Sequence, residues 1–190
     1  GFKSFAEKTN FLIEDGLTGI VGPNGCGKSN IVESLRWVMG ETSAKSMRGS
    51  GMEDVIFSGT SNKASKNIAE VSIEVENKDK EGPIQYRELE QIQIRRKIEK
   101  DKGSKFYIND KEVRARDAQM FFADLSTGAH SPSMISQGRI GALVTAKPTD
   151  RRAILEEAAG ISGLHVRRHE AELRLGAVSY THLTLPTMDH

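Results

Sequence analysis

Hydrophobic and polar positions alternate most regularly in the middle of the chain. A period of two residues places alternate side chains on opposite faces of a β-strand. The apolar members of this pattern are Val71, Ile73, Val75, Ile92, Ile94 and Ile98. Gly- and Asp-containing turns separate the segments, so residues 68–113 are predicted to form an antiparallel meander with one apolar and one charged face.

Apolar residues three and four positions apart predict helices on both sides of this meander. Residues 30–39 are predicted to be helical, with a core face made by Ile31, Leu35 and Val38. A later helix has its apolar face at Ala118, Phe121, Phe122 and Leu125. A further helix is predicted to begin at Pro148, which is well suited to a first helical position.

Shorter apolar runs near the start of the chain predict further strands. Residues 17–21 have the character of a buried strand, and the alternation around Phe11 and Ile13 predicts another. Residues 1–6 have an extended pattern without an initial Met, so we expect the natural chain to begin upstream. Residues 54–57 are predicted to be a short strand.

A glycine-rich motif lies between the run at 17–21 and the helix at 30–39. Its residues are Gly22, Pro23, Asn24, Gly25, Cys26, Gly27, Lys28 and Ser29. This order fits the loop that surrounds nucleotide phosphates, in which glycines allow backbone N–H groups to converge on an anion. In such a loop the lysine contacts the β- and γ-phosphates, and the serine hydroxyl binds Mg²⁺. We therefore predict ATP and Mg²⁺ as cofactors.

Composition adds few constraints. The 27 Lys and Arg residues nearly balance 26 Asp and Glu residues, so bulk charge does not indicate a nucleic-acid partner. The single cysteine excludes an internal disulfide framework and is expected to be a small filler residue in the loop. No apolar run is long enough to span a bilayer, which favours a cytoplasmic protein without a membrane partner.

Several blocks of sequence, taken in order, resemble the N-terminal half of the head of a bacterial chromosome-segregation SMC ATPase. The first is residues 1–6, and the second is the phosphate loop together with Asn30. The others are residues 48–50 with 52–57, residues 136–139 and residues 151–161. Together they cover roughly residues 1–175.

The resemblance implies the fold and the roles of several residues. It implies an α/β fold, namely the N-terminal lobe of an ABC-type P-loop head with an antiparallel β layer and the start of a coiled-coil helix. Gln137 would be the residue that contacts Mg²⁺ or its waters, and Arg48 would act near the γ-phosphate. Lys3 and Ser4 would flank the nucleotide. Lys28, Gln137 and Arg48 are thus the catalytic candidates.

The resemblance also implies a domain organisation and partners. Residues 1–163 would form half of a head and residues 164–176 the start of the arm. The nearly uncharged, Pro-containing residues 177–190 are expected to be a non-native tail. The full-length protein would organise, condense and segregate DNA, dimerise through head and arm, and bind accessory subunits at the nucleoid. Its head would be completed by the C-terminal half of the same chain.

Two motifs of a complete ATPase head are missing from this sequence. No apolar strand ending in Asp-Glu follows the phosphate loop, and no Leu-Ser-Gly-Gly signature is present. In the family that the chain resembles, these parts belong to the C-terminal half. We therefore expect the chain alone to be inactive as an ATP hydrolase.

Other functions remain open at this point. A related ABC-type repair ATPase of the RecN or RecF kind would have the same phosphate loop. A small P-loop kinase would be complete near this length, although the meander does not favour it. A non-catalytic DNA-binding module is suggested by the basic run Arg87, Arg95, Arg96, Lys97, Lys100, Lys102 and Lys105. The acidic residues between them are more typical of a solvated face.

Overall fold

The computed structural model describes residues 1–43, 49–77, 83–125, 134–135, 141, 144–159, 168, 171–173 and 175. Its helices are α1 (Lys28–Val38), α2 (Ala115–Asp124) and α3 (Pro148–Ala158). Its strands are β1 (Ile68–Glu76), β2 (Gln91–Glu99), β3 (Gly103–Ile108) and β4 (Lys111–Val113). Short 3₁₀ turns lie at Met52–Val55 and Ile84–Tyr86.

The four strands form an antiparallel sheet in the order β1-β2-β3-β4, so each strand pairs with its neighbour in sequence. Ile73 lies opposite Ile94, and Ile94 lies opposite Ile108, which places the apolar residues of three strands on one face. The predicted meander is confirmed. Its register follows from the period-two pattern, because a slip by one residue would turn the apolar face toward water.

Helices α1 and α2 cover this apolar face, and the core consists of two clusters of buried side chains. One contains Phe2, Trp37, Val55, Ala69 and Ile98. The other contains Val38, Ile92, Ile94, Ile108, Phe121 and Phe122. Burial of such side chains contributes on the order of 1.5–3 kcal/mol each, which is enough to fix how α1 lies against the sheet.

The helices are confirmed as elements, but the predicted core face of α1 is wrong in part. Val38 is fully buried, whereas Ile31 and Leu35 are only half-buried. The most buried residues of α1 are Glu33, Trp37 and Val38. The face is rotated because the indole ring of Trp37 packs 5.4 Å from the ring of Phe2, and Glu33 lies on the same side one turn earlier.

The predicted strands before the phosphate loop are wrong. Residues 11–14 and 17–21 form no strand, and their apolar side chains are exposed: Leu12 is 82% exposed, Leu17 96% and Val21 91%. A buried strand needs neighbours that accept its backbone hydrogen bonds and cover its faces. No described segment supplies them here.

The prediction for residues 54–57 is also wrong in type. The chain makes a 3₁₀ turn at Met52–Val55, and Ile56 then forms an isolated antiparallel bridge with Phe2. The amide of Lys3 donates to the carbonyl of Val55 at 2.7 Å, and the amide of Phe57 donates to Gly1 at 2.8 Å. The first residues of the chain are thereby attached to this turn.

Some predictions concern residues outside the described set. Arg48 and Gln137 lie there, as do the loop at 126–133, most of the arm at 164–176 and all of the tail at 177–190. The domain boundaries therefore stay predictions. Among the helices that the structure describes, none combines the length and apolar character needed to cross a membrane.

Candidate phosphate-binding site

The glycine-rich motif forms an exposed loop that leads directly into α1. Gly25 and Gly27 have φ angles of 81° and 93°, in the left-handed region that favours glycine. Helix α1 begins at the next residue, Lys28, and Gly27 is its N-cap. The loop and the helix N-terminus thus adjoin, as the motif predicts.

The ammonium group of Lys28 lies over its own loop. Its Nζ atom donates to the carbonyl oxygens of Gly22 and Pro23, each at 2.5 Å, and lies 3.9 Å from Sγ of Cys26. A Cβ atom on Gly22 would lie 3.0 Å from that sulfur atom and 3.8 Å from the Lys28 side chain. Glycine at position 22 therefore leaves room for the side chain of Cys26 within the loop.

The electrostatic environment at the N-terminus of α1 favours an anion. The first N–H groups of a helix have no intrahelical acceptor, and the helix dipole adds partial positive charge there. No acidic side chain lies in the first turn of α1, and no side chain caps it. Together with the ammonium of Lys28, these groups suit a phosphate chain.

The structure brings Ser4 to the loop, but it places Lys3 elsewhere. Oγ of Ser4 accepts a hydrogen bond from Nδ2 of Asn30 at 2.8 Å. The same oxygen lies 3.0 Å from where a Cβ atom of Gly27 would be. Lys3 instead forms an ion pair with Glu33 on the second turn of α1.

The magnesium prediction is supported only by Ser29, which is exposed in the first turn of α1. The described residues contain no group of three His, Cys, Asp or Glu side chains that could bind a metal. Gln137 and Arg48 fall outside the described residues.

Four of the seven basic residues in the run at 87–105 are buried or ion-paired. Arg96 is buried in the core, and three others form ion pairs: Arg95 with Glu70 and Asp110, Lys102 with Glu99, and Lys105 with Glu112. The charge balance of these partners argues against a nucleic-acid module built on this run.

Asp54 fixes the turn that follows the undescribed residues 44–48. Its Oδ2 atom accepts the amide of Ser50 at 2.5 Å and that of Gly51 at 2.9 Å. Hydrogen bonds from Gly51 and then Ser50 lower the pKa of Asp54 below its ordinary value. The carboxylate is therefore held ionised where the chain returns toward the core.

Sequence reasoning missed Glu33 and Asp54. The signal for Glu33 is its spacing of four residues from Trp37. Residues at this spacing lie on the same side of a helix, so the position of the tryptophan indicates that Glu33 also faces the core. The signal for Asp54 is also local, since an acidic side chain three residues after a Gly can accept hydrogen bonds from the turn's backbone.

Comparison with known sequences identifies the family. Residues 1–139 match the model of the RecF/RecN/SMC N terminal domain. The chain is 56% identical over 184 residues to the chromosome partition protein Smc of Rhodopseudomonas palustris, which covers 97% of this chain and 16% of that protein. It is 58% identical over 177 residues to the corresponding protein of Cereibacter sphaeroides, with 93% and 15% covered. The chain thus spans only about a sixth of the length of these relatives.

Solved structures give the same result. A crystal structure of the SmcHead bound to the C-winged helix domain of ScpA has a TM-score of 0.76 at 32% identity, with 85% of this chain and 49% of that chain covered. The Smc head domain with a coiled coil and joint from Pyrococcus yayanosii has a TM-score of 0.71 at 30% identity, covering 95% and 35%. The predicted α/β fold and the resemblance to SMC heads are confirmed. The chain belongs to the RecF/RecN/SMC N-terminal domain family.

Proposed function

We propose that this chain is the nucleotide-binding N-terminal part of an SMC-type ATPase head that acts in chromosome partition. In this proposal the phosphates of ATP bind at Gly22, Pro23, Asn24, Gly25, Cys26, Gly27, Lys28, Ser29 and Asn30. Hydrolysis belongs to the complete head, because the parts expected to activate water are absent from this sequence.

One observation carries the proposal. The loop ends in a left-handed Gly27, and α1 starts at Lys28 without an acidic residue in its first turn. Phosphate binding requires backbone N–H groups, a helix N-terminus and a lysine ammonium at one site. All three occur together where the loop leads into α1.

The residues of the site have distinct roles in this proposal. Lys28 would leave the carbonyls of Gly22 and Pro23 and contact the phosphate oxygens, and the hydroxyl of Ser29 would bind Mg²⁺. When bound, Mg²⁺ supplies positive charge that neutralises the phosphate oxygens. Arg48 and Gln137 are proposed to act near the γ-phosphate, on the resemblance alone.

The exposed apolar segment before the loop supports the C-terminal half of the head as a partner. Side chains such as Leu17 and Val21 lie almost entirely in solvent in this chain. A run of this kind directly before a phosphate loop is expected to be a central strand, which needs neighbours on both edges. We propose that strands from the C-terminal half supply them.

Further partners follow from the relatives by analogy. A solved SmcHead has the C-winged helix domain of ScpA bound to it, and we propose an accessory subunit of this kind for the full-length protein. We also propose DNA and a second copy of the full-length protein as partners, and a place at the nucleoid in the cytoplasm.

The experiment is a titration of a fluorescent ATP analogue with Mg²⁺ into this chain and into the Lys28→Ala variant. We expect weak binding by the chain and a loss of affinity on substitution worth about 1.5–3 kcal/mol, typical of a hydrogen bond to a charged group. Lys8→Ala is the matched control, because it removes the same charge from an exposed residue. Equal affinity of Lys28→Ala and the unsubstituted chain would refute the phosphate-loop assignment.

A further inference from the structure

The first residues of the chain form a tight turn that packs against the first turns of α1. The amide of Phe5 donates to the carbonyl of Phe2 at 2.8 Å. Lys3, at the corner of the turn, has a φ angle of 45°, in the left-handed region that a side chain other than glycine rarely adopts. Such a conformation persists only where its surroundings fix it, and these sites concentrate near ligands.

Glu33 is the residue of α1 that fixes this corner. Its carboxylate pairs with the ammonium of Lys3, and the two side chains are only 7% and 12% exposed. Burial of either charge without the other is strongly unfavourable, so the pair defines one position for the turn. Glu33 lies on the second turn of the helix, away from the phosphate loop itself.

The turn in its fixed position forms one side of the phosphate loop. Oγ of Ser4 lies 3.0 Å from the Cβ position of Gly27, and the ring of Phe5 lies 3.8 Å from it. The amide group of Asn30 donates to the same Ser4 oxygen at 2.8 Å, which joins the turn to the start of α1. The corner at Lys3 and the loop at Gly27 are therefore adjacent parts of one packed unit.

We propose that Glu33 is a positioning residue for the phosphate loop, and that it acts through the Lys3–Ser4 turn. The inference rests on the proposed function, since it concerns the affinity of the same site for a triphosphate. Loss of the Glu33 charge removes the ion pair that holds Lys3 against α1, while the backbone hydrogen bonds that attach residues 1–3 to the turn at 52–57 remain. Ser4 is then held less firmly against Gly27, and the loop samples other conformations. The triphosphate moiety, rather than the base or ribose, is the part of the nucleotide whose binding depends on Glu33.

Cys26 provides a readout of the loop that needs no ligand. It is the only cysteine in the sequence, and its thiol is free and exposed. We would measure the rate at which a disulfide reagent modifies Cys26 in the folded chain, in Glu33→Gln and in the control Glu90→Gln. Glu90 is an exposed residue that precedes β2, so its substitution makes the same change of charge outside this unit.

We expect the rate at Cys26 to change by about threefold or more in Glu33→Gln relative to the unsubstituted chain, because movement of the loop changes the surroundings of the exposed thiol, including its 3.9 Å contact with Nζ of Lys28. The rate in Glu90→Gln is expected to stay unchanged. Affinity for inorganic tripolyphosphate with Mg²⁺ is expected to fall about tenfold in Glu33→Gln, which is typical for removal of a residue that orients a binding group.

An unchanged Cys26 rate in a folded Glu33→Gln variant would overturn the inference. If that variant does not fold, as judged by circular dichroism, Lys3→Met serves in its place, and an unchanged rate in folded Lys3→Met is equally decisive against it. Failure of the proposed function has a different signature, because Lys28→Ala would then leave tripolyphosphate binding unaffected while the Cys26 rates still reported on Glu33.

Discussion

Arg96 on β2 is joined to Trp37 at the end of α1 by two different contacts. Its guanidinium carbon lies 4.6 Å from the centroid of the indole ring, and Nη1 donates to the carbonyl of Trp37 at 2.7 Å. The same nitrogen donates to the carbonyl of Glu41 at 2.6 Å. The last carbonyls of a helix lack intrahelical donors, so Arg96 caps the helix whose other end contains the phosphate loop.

The burial of Arg96 lowers its pKa to about 10, against an opposing effect of Glu41. The side chain is therefore still charged at neutral pH. A charge in the core is tolerated here because carbonyl dipoles, Ser104 Oγ at 2.8 Å and two aromatic rings surround it.

We expect Arg96→Met to lower the free energy of unfolding by about 2–4 kcal/mol, because the carbonyls of Trp37 and Glu41 each lose a hydrogen bond from a charged donor, and the Trp37 carbonyl keeps only the amide of Gly40 at 3.2 Å. Arg95→Met is the matched control on the opposite face of the same strand, where surface ion pairs contribute about 0–1 kcal/mol. Urea unfolding followed by circular dichroism measures both. Equal losses for the two variants would contradict a special role for Arg96.

Gly40 is expected to tolerate alanine much less well than Gly103. Both have left-handed φ angles, 104° and 82°, but a Cβ atom on Gly40 would lie 2.3 Å from Cγ of Gln119, whereas Gly103 faces open space. Gly103→Ala should cost about 1–2 kcal/mol of unfolding free energy from backbone strain, and Gly40→Ala about 1–3 kcal/mol more from the clash. Thermal unfolding tests this, with Gly40→Ala/Gln119→Ala expected to recover part of the difference.

Asp54 should make the stability of the chain depend on pH in the acid range. Its folded-state pKa lies below the ordinary value of 3.8, so its contribution is complete above that value and disappears as the pH falls through the folded-state pKa. Asp54→Asn is therefore expected to be less stable than the unsubstituted chain at pH 6, with a smaller difference near pH 2. A difference in melting temperature that does not change with pH would refute this.

Hydrogen exchange should separate the meander from the segment before the phosphate loop. Amides of β2 pair on both sides and are expected to exchange slowly, whereas residues 17–21 are exposed and should exchange rapidly in the chain alone. Addition of the C-terminal half of an SMC head should slow exchange at residues 17–21. Strong protection there in the chain alone would mean that these residues form a strand without that partner.

The sequence predicted those parts of the fold whose causes are local. The meander and α2 follow from periodicity, and the phosphate loop follows from glycines whose φ angles it requires. The strand predicted for residues 17–21 is wrong for this chain, because a buried strand depends on neighbours that no described residue supplies.

The contacts around the candidate site were harder to predict for a related reason. Glu33 and Arg96 are charged residues whose burial depends on partners at Lys3 and Trp37, and these pairings are separated by 30 and 59 residues. Periodicity predicts which side of a helix or strand a residue lies on. It does not predict which residue, distant in sequence, that side chain will contact.

The neighbour-to-neighbour order of the sheet has a consequence for synthesis of the protein. The hairpins β2–β3 and β3–β4 close over residues 100–102 and 109–110, and β1–β2 closes over residues 77–90, so all pairings of the sheet are between strands near in sequence and it can form rapidly. The sheet can therefore be completed while later residues are still being translated. Residues 17–21 leave the ribosome before the sheet, yet under the proposed pairing their partner strands are translated last. Throughout synthesis this apolar segment is exposed, and it is the part of the nascent chain for which we expect chaperones to compete.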